Sequence, residues 1–166
     1  MQGRLENLLA ALATSLADQI HSATEEAAGH GARAPAALTS ILRRPGQSVG
    51  ELSARLELSH SATVRLVDRL EADGLVVRRP GADGREVAVA LTAKGRRRAL
   101  RVLQARRSTT SRSLAGLSAS ERRDLEVLVD RLLRNQSAQR EDPRPVCRLC
   151  EVPACPLRRC PVPGGR

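Results

Sequence analysis

No phenylalanine, tyrosine or tryptophan occurs in the 166 residues. Proteins that grip single-stranded nucleic acid or RNA loops stack bases on aromatic rings. Their absence argues against that mode of binding and leaves a core of Leu, Val, Ile and Ala. Long apolar runs are missing too: no stretch of about 18 residues is apolar enough to suggest a membrane span. The amphipathic start, MQGRLENLLAALATSLADQI, carries acids and lacks the apolar centre and cleavage site of a secretory signal. A cytoplasmic, nucleoid-associated protein is expected. Acids are scarce, with 18 Asp and Glu against 28 Lys and Arg, a net charge of +10. An excess of that size points to an acidic polymer as partner.

That charge is unevenly spread. Residues 1–50 balance four arginines (Arg4, Arg33, Arg43, Arg44) with four acids, whereas residues 74–107 hold ten Lys and Arg against Asp83 and Glu86. The three histidines, His21, His30 and His60, have no acidic or nucleophilic partner in the pattern, and no phosphate-binding glycine loop is present, so an enzyme is not expected.

Periodicity predicts a mainly α fold. Leu5, Leu8, Leu9, Leu12, Leu16 and Ile20 form one stripe on a helix over 2–28. After the break GHGARAP, Pro35 opens a second helix that stops before Pro45-Gly46. Ser48 and Glu51 have the spacing of a capping box for a third, and Ser59 caps a fourth. In that fourth helix Thr63, Leu66, Val67 and Leu70 form the core face, and Ser61, Val64, Arg65, Asp68 and Arg69 the opposite one. Gly74 suits the helix end. LVVRR and EVAVALT alternate as strands around PGADGR, a two-stranded β wing. A long Arg-rich helix follows Thr92. Ser118 and Glu121 box the last one, whose stripe is Leu125, Leu128, Val129, Leu132 and Leu133. The first and last stripes exceed what a small domain buries, so a homodimer is expected.

Two short helices joined by a tight turn and followed by a basic hairpin can set the second helix in the DNA major groove. ELSARLELSHSATVRLVDRLEADGLVVRRP, followed by DGREVAVALTAKGR, resembles the MarR family of bacterial transcription regulators. The resemblance is strongest over 48–98 and extends in architecture over 1–136, with the DNA-binding part at 35–94 and dimerisation helices at 2–28 and 95–136. It implies a winged helix-turn-helix homodimer on a pseudo-palindromic double-stranded DNA operator, usually repressing, and often released by a small-molecule effector or oxidant. The chain departs from the family in the turn, where Glu57 stands in place of a frequent Gly, and has Ser53 where Ala is common.

Candidate DNA contacts are Ser59, His60, Ser61, Val64, Arg65 and Arg69 on the fourth helix. Arg pairs with guanine edges, Val with thymine methyls, and Ser or His with bases or phosphates. Arg78 and Arg79 can reach phosphates from the wing. Arg85, oriented by Asp83, resembles the family's minor-groove arginine. The other reading of the basic surface is a non-specific architectural nucleoid protein, bound by charge alone.

Residues 137–146 read as a linker to a tail, 147–166. Cys147, Cys150, Cys155 and Cys160 there give C-x2-C-x4-C-x4-C and are all the cysteines of the chain. The spacing is that of a zinc knuckle with Cys155 in place of its His, and predicts one Zn2+ per chain in a closed site. An iron–sulfur cluster is the rival, since Pro156 and Pro161 follow Cys155 and Cys160 as in bacterial ferredoxins. A thiol–disulfide switch is the third reading.

Overall fold

The computed structural model describes residues 3–81, 87–151, 155 and 160–162. Six helices and a small sheet run in the order α1 (Gly3–Ala28), α2 (Ala34–Arg43), β1 (Gln47–Ser48), α3 (Val49–Leu56), α4 (His60–Ala72), β2 (Val76–Pro80), β3 (Val87–Leu91), α5 (Ala93–Ser113) and α6 (Ala119–Ala138). A 3-10 turn, Arg144–Cys147, leads into the tail. No helix among the described residues is long and apolar enough to cross a membrane.

The helix starts follow from side-chain caps. Ser48 Oγ accepts the Glu51 N–H at 3.3 Å while Glu51 Oε2 accepts the Ser48 N–H at 2.9 Å. Ser118 and Glu121 do the same for α6. Ser59 Oγ accepts from Ala62 at the head of α4, and Thr92 Oγ1 from Gly95 at the head of α5. Each cap satisfies an amide that the helix leaves unpaired. At the end of α4 the Leu75 N–H donates to Leu70 O at 2.8 Å, across Gly74 at φ 68°. That double-back needs a residue at ease in the left-handed region.

The expected two-stranded wing is present as β2 and β3, within a sheet that gains a third strand. Its order is β1–β3–β2, all antiparallel, with Gln47 opposite Val89 and Ser48 opposite Ala88. Two residues carry no alternation, so β1 is invisible to pattern. What holds it is a buried pair, Gln47 Nε2 donating to Ser40 Oγ at 3.3 Å. The hairpin register sets Val76 against Leu91 and Arg78 against Val89. The core gathers Leu38 and Ile41 from α2, Leu52 and Leu56 from α3, Leu66, Val67 and Leu70 from α4, Val76 and Val89 from the sheet, and Ala99 and Val102 from α5.

Glu57 takes the strained role that its position in the turn demands. Its φ of 51° and ψ of 47° are left-handed, alone among the described non-glycine residues in having positive φ. An L residue there gives up about 1–2 kcal/mol. Glu57→Gly should therefore exceed Glu57→Ala in stability by about 1 kcal/mol in urea denaturation. Both variants lose the same exposed ion pair to Arg140, so the difference isolates the backbone. Equal stabilities would place Glu57 in another conformation.

Candidate nucleic-acid interface

The core face of α4 dictates what the other face can do. With Thr63, Leu66, Val67 and Leu70 buried, His60, Ser61, Arg65 and Arg69 stand exposed and Val64 half-exposed. These side chains line one outward ridge, and its first turn is capped by Ser59. Ser59 uses its hydroxyl on Ala62 N–H and lies 3.3 Å from Ser61 Oγ. It shapes the entry to α4 and leaves Ser61 and Arg65 as the residues with reach.

The wing gives Arg78 and Arg79 different tasks. Arg79 is exposed. Arg78 turns back onto α4, where Nη2 meets Asp68 Oδ1 at 2.6 Å, Nη1 pairs with Glu71, and its backbone N–H donates to Glu71 Oε1 at 3.0 Å. A phosphate would have to displace two carboxylates to engage it. Arg78 thus stiffens the joint between α4 and the wing. Asp83 and Arg85 lie outside the described residues.

The cations at the start of α5 look unfavourable for that helix's dipole, but two of them serve other helices. Lys94 Nζ donates to the Asp73 carbonyl at 2.8 Å, at the end of α4, and Arg98 Nη1 to the Ala28 carbonyl at 2.8 Å, at the end of α1. A cation at a helix C-terminus is favourable. Arg96 and Arg97 remain exposed. His30 Nε2 lies 3.3 Å from Asp73 Oδ2, so the α1–α2 loop also grips the end of α4.

A family model for the MarR family matches residues 32–86, which span α2, the helix-turn-helix and the first wing strand. No curated protein matches the chain by sequence. Among solved structures, a MarR family protein from Bacillus stearothermophilus is 28% identical with a TM-score of 0.71, covering 81% of this chain and 94% of that one. The MarR family protein Rv2887 of Mycobacterium tuberculosis, in complex with DNA, is 25% identical with a TM-score of 0.63, over 77% of this chain and 96% of that one. A MarR family transcriptional regulator from Silicibacter pomeroyi is 26% identical with a TM-score of 0.60, over 79% and 91%. The chain has the winged-helix fold of these MarR family proteins.

Two apolar surfaces are exposed among the described residues. Leu5, Leu8, Leu9 and Leu12 on α1 are exposed, and so are Val127, Leu128, Val129 and Leu132 on α6. The α1 helix packs mainly on α5, whereas α6 has little contact with the rest of the body.

The tail is docked through partners that pattern gave no sign of. Thr39 Oγ1 of α2 donates to the Arg148 carbonyl at 3.2 Å, Arg106 of α5 donates to the Leu149 carbonyl, and Arg107 of α5 pairs with Glu151, which is 8% exposed. Leu149 packs on the core and Val162 is buried. An open cleft of about 680 Å3 lies between α1, α2 and this segment, with Asp18, His21, Arg33 and Arg148 among its walls. All four cysteines are half-buried and unpaired. Burial, helped by the neighbouring thiolates of Cys150, Cys160 and Cys155, pushes the Cys147 thiol up to about 11, against the pull of Arg106. The Cys155 thiol is raised by burial and then by Cys160 and Cys150. The four sulfurs are thus within electrostatic reach of one another. Among the described residues, no three His, Cys, Asp or Glu side chains stand in a metal-holding arrangement.

Proposed function

We propose that the chain is a cytoplasmic, homodimeric repressor that binds a pseudo-palindromic double-stranded DNA operator. The observation that supports it most is the exposed ridge of α4, with Ser61, Val64 and Arg65 outward and the opposite face locked in the core. That is the arrangement a recognition helix needs to enter a major groove. The DNA complex of Rv2887, a protein of similar fold, supports the same partner. In this reading Arg65 reads a base edge, Arg69 and Arg79 hold phosphates, and Arg85 reaches the minor groove from the wing. Arg78 positions the wing on α4 and leaves the phosphates to others. The exposed apolar faces of α1 and α6 meet those of a second copy, which sets two α4 helices one helical turn of DNA apart. The cysteine tail adds a metal or redox input.

The test starts by selecting the preferred site from random duplexes. Arg65→Ala should weaken binding to that site by about 1–3 kcal/mol and relax preference at one base position. Arg85→Ala should weaken selected and scrambled duplexes alike. Unchanged affinity for both variants at moderate salt would sink the docking. Equal affinity of the wild type for selected and scrambled DNA would favour an architectural protein.

A further inference from the structure

The four cysteines sit on a segment that is too short to fold by itself, yet it is anchored. Among its described residues the apolar groups taken from solvent are the buried Pro161 and Val162 and the partly buried Leu149, far less surface than an independent core needs. Two backbone turns bring the thiols round. The Cys150 N–H donates to the Cys147 carbonyl and the Cys155 N–H to the Glu151 carbonyl, each at 3.0 Å. The first turn is the one fastened to α2 by Thr39 and to α5 by Arg106 and Arg107. One step back along the chain, Arg140 Nη2 meets Glu57 Oε1 at 2.5 Å, in the turn between α3 and α4. The tail is therefore fastened to α2 and α5, and the linker ahead of it to the turn before α4.

The donor chemistry is selective. Four soft thiolates with no open position suit a tetrahedral Zn2+ that folds its segment and leaves no site for substrate water. The nearest carboxylate on the turn, Glu151, is already paired with Arg107 and so is held out of the donor set. A tetrathiolate zinc carries two net negative charges, and Arg106, which donates to the Leu149 carbonyl between Cys147 and Cys150, is placed to offset part of them. Zn2+ would draw the four sulfurs together from an arrangement in which no three of them already stand in metal-holding positions. Each thiol gives its proton to solvent as the zinc–sulfur bond forms.

We propose that Cys147, Cys150, Cys155 and Cys160 hold one Zn2+, and that the closed tail clamps α2 and α5 to the turn ahead of α4. The site itself stands apart from the DNA-binding reading; the effect of the clamp on operator affinity rests on it. Metal analysis of the purified full-length protein should find one zinc per chain. Cys150→Ser should lose it, and Co2+ exchanged into the wild type should show the visible bands of a tetrahedral thiolate site. Stripping zinc from the wild type with a mercurial and chelator, then reducing the thiols, should speed tryptic cleavage in the tail by about tenfold, and Zn2+ should restore protection. Operator affinity should fall about tenfold on stripping and return with Zn2+. Colourless protein without zinc would overturn the site. Brown protein with iron and sulfide would replace it by a cluster, and an oxidised form with disulfides and no metal would replace it by a thiol switch. Zinc present with unchanged cleavage and affinity would overturn the clamp. A zinc-loaded protein that binds no selected duplex would sink the DNA reading and leave the metal site standing.

Discussion

Gly95→Ala should lower the stability of the folded chain by about 3 kcal/mol, the upper end of what overpacking costs. Gly95 sits in the first turn of α5, where Thr92 Oγ1 accepts its N–H at 3.0 Å and donates to the Gly74 carbonyl at 2.7 Å. A methyl group at Gly95 would overlap the Leu75 carbonyl oxygen and come within 2.8 Å of the carbonyl carbon. Those atoms are backbone, so no rotamer change relieves the clash. They also form the joint at which α4 ends, the sheet begins and α5 starts. The Leu75 carbonyl accepts the Thr92 N–H at 3.0 Å, and pushing it away loosens that bond and the reversal around Gly74 together. The helix propensity gained from Ala, up to about 1 kcal/mol, is too small to offset this. Gly116→Ala is the control, since a methyl there meets nothing within 4 Å. Urea denaturation of both variants should separate them, with Gly116→Ala within about 0.5 kcal/mol of wild type. If Gly95→Ala matched it, the close approach of α5 to Leu75 would be wrong.

The joint also shows where sequence reading succeeds and where it stops. Ser48, Ser59 and Ser118 announce their helices because a cap is a local event, settled within four residues. The inward faces of α3 and α4 follow from spacing alone, and Leu52, Leu56, Thr63, Leu66, Val67 and Leu70 are all buried. Gly74 is legible for the same reason. Contacts between distant residues leave no such trace. The basic residues after the wing look alike in sequence, yet Lys94 caps α4, Arg98 caps α1, and Arg106 and Arg107 hold the tail. Arg78 reads as a phosphate contact until its strand register carries it over Asp68 and Glu71. β1 goes unread because two residues cannot alternate. For the exposed ridge of α4, the amphipathic pattern sufficed; the tail required the three-dimensional structure to show that it is docked.

If the proposed homodimer forms through α6, Leu128→Asp combined with Leu132→Asp should convert it into a monomer and abolish operator binding at concentrations where the wild type saturates. Both leucines lie on the outer face of α6, 55% and 46% exposed, and continue a stripe whose other members are Leu125, Val129 and Leu133. A helix with so large an apolar face and so little packing gains its stability from a partner. Burying each leucine against a second copy is worth about 2 kcal/mol, and in a two-fold dimer each substitution acts twice. The pair should therefore cost about 8 kcal/mol of association before any penalty for burying aspartate. Even half of that raises the dimer dissociation constant by about a thousandfold. The monomer keeps its fold, because neither residue contributes to the core around Leu38, Val67 and Val102. Its α4 can still meet one half-site, but without the second half-site the affinity drops towards the non-specific level. Sedimentation should show a single chain with unchanged helical content, and titration against the selected duplex should show binding only at low salt. A double variant that still sediments as a dimer would move the interface away from α6. A true monomer that binds the full site as tightly as wild type would remove the two-fold operator from the proposal.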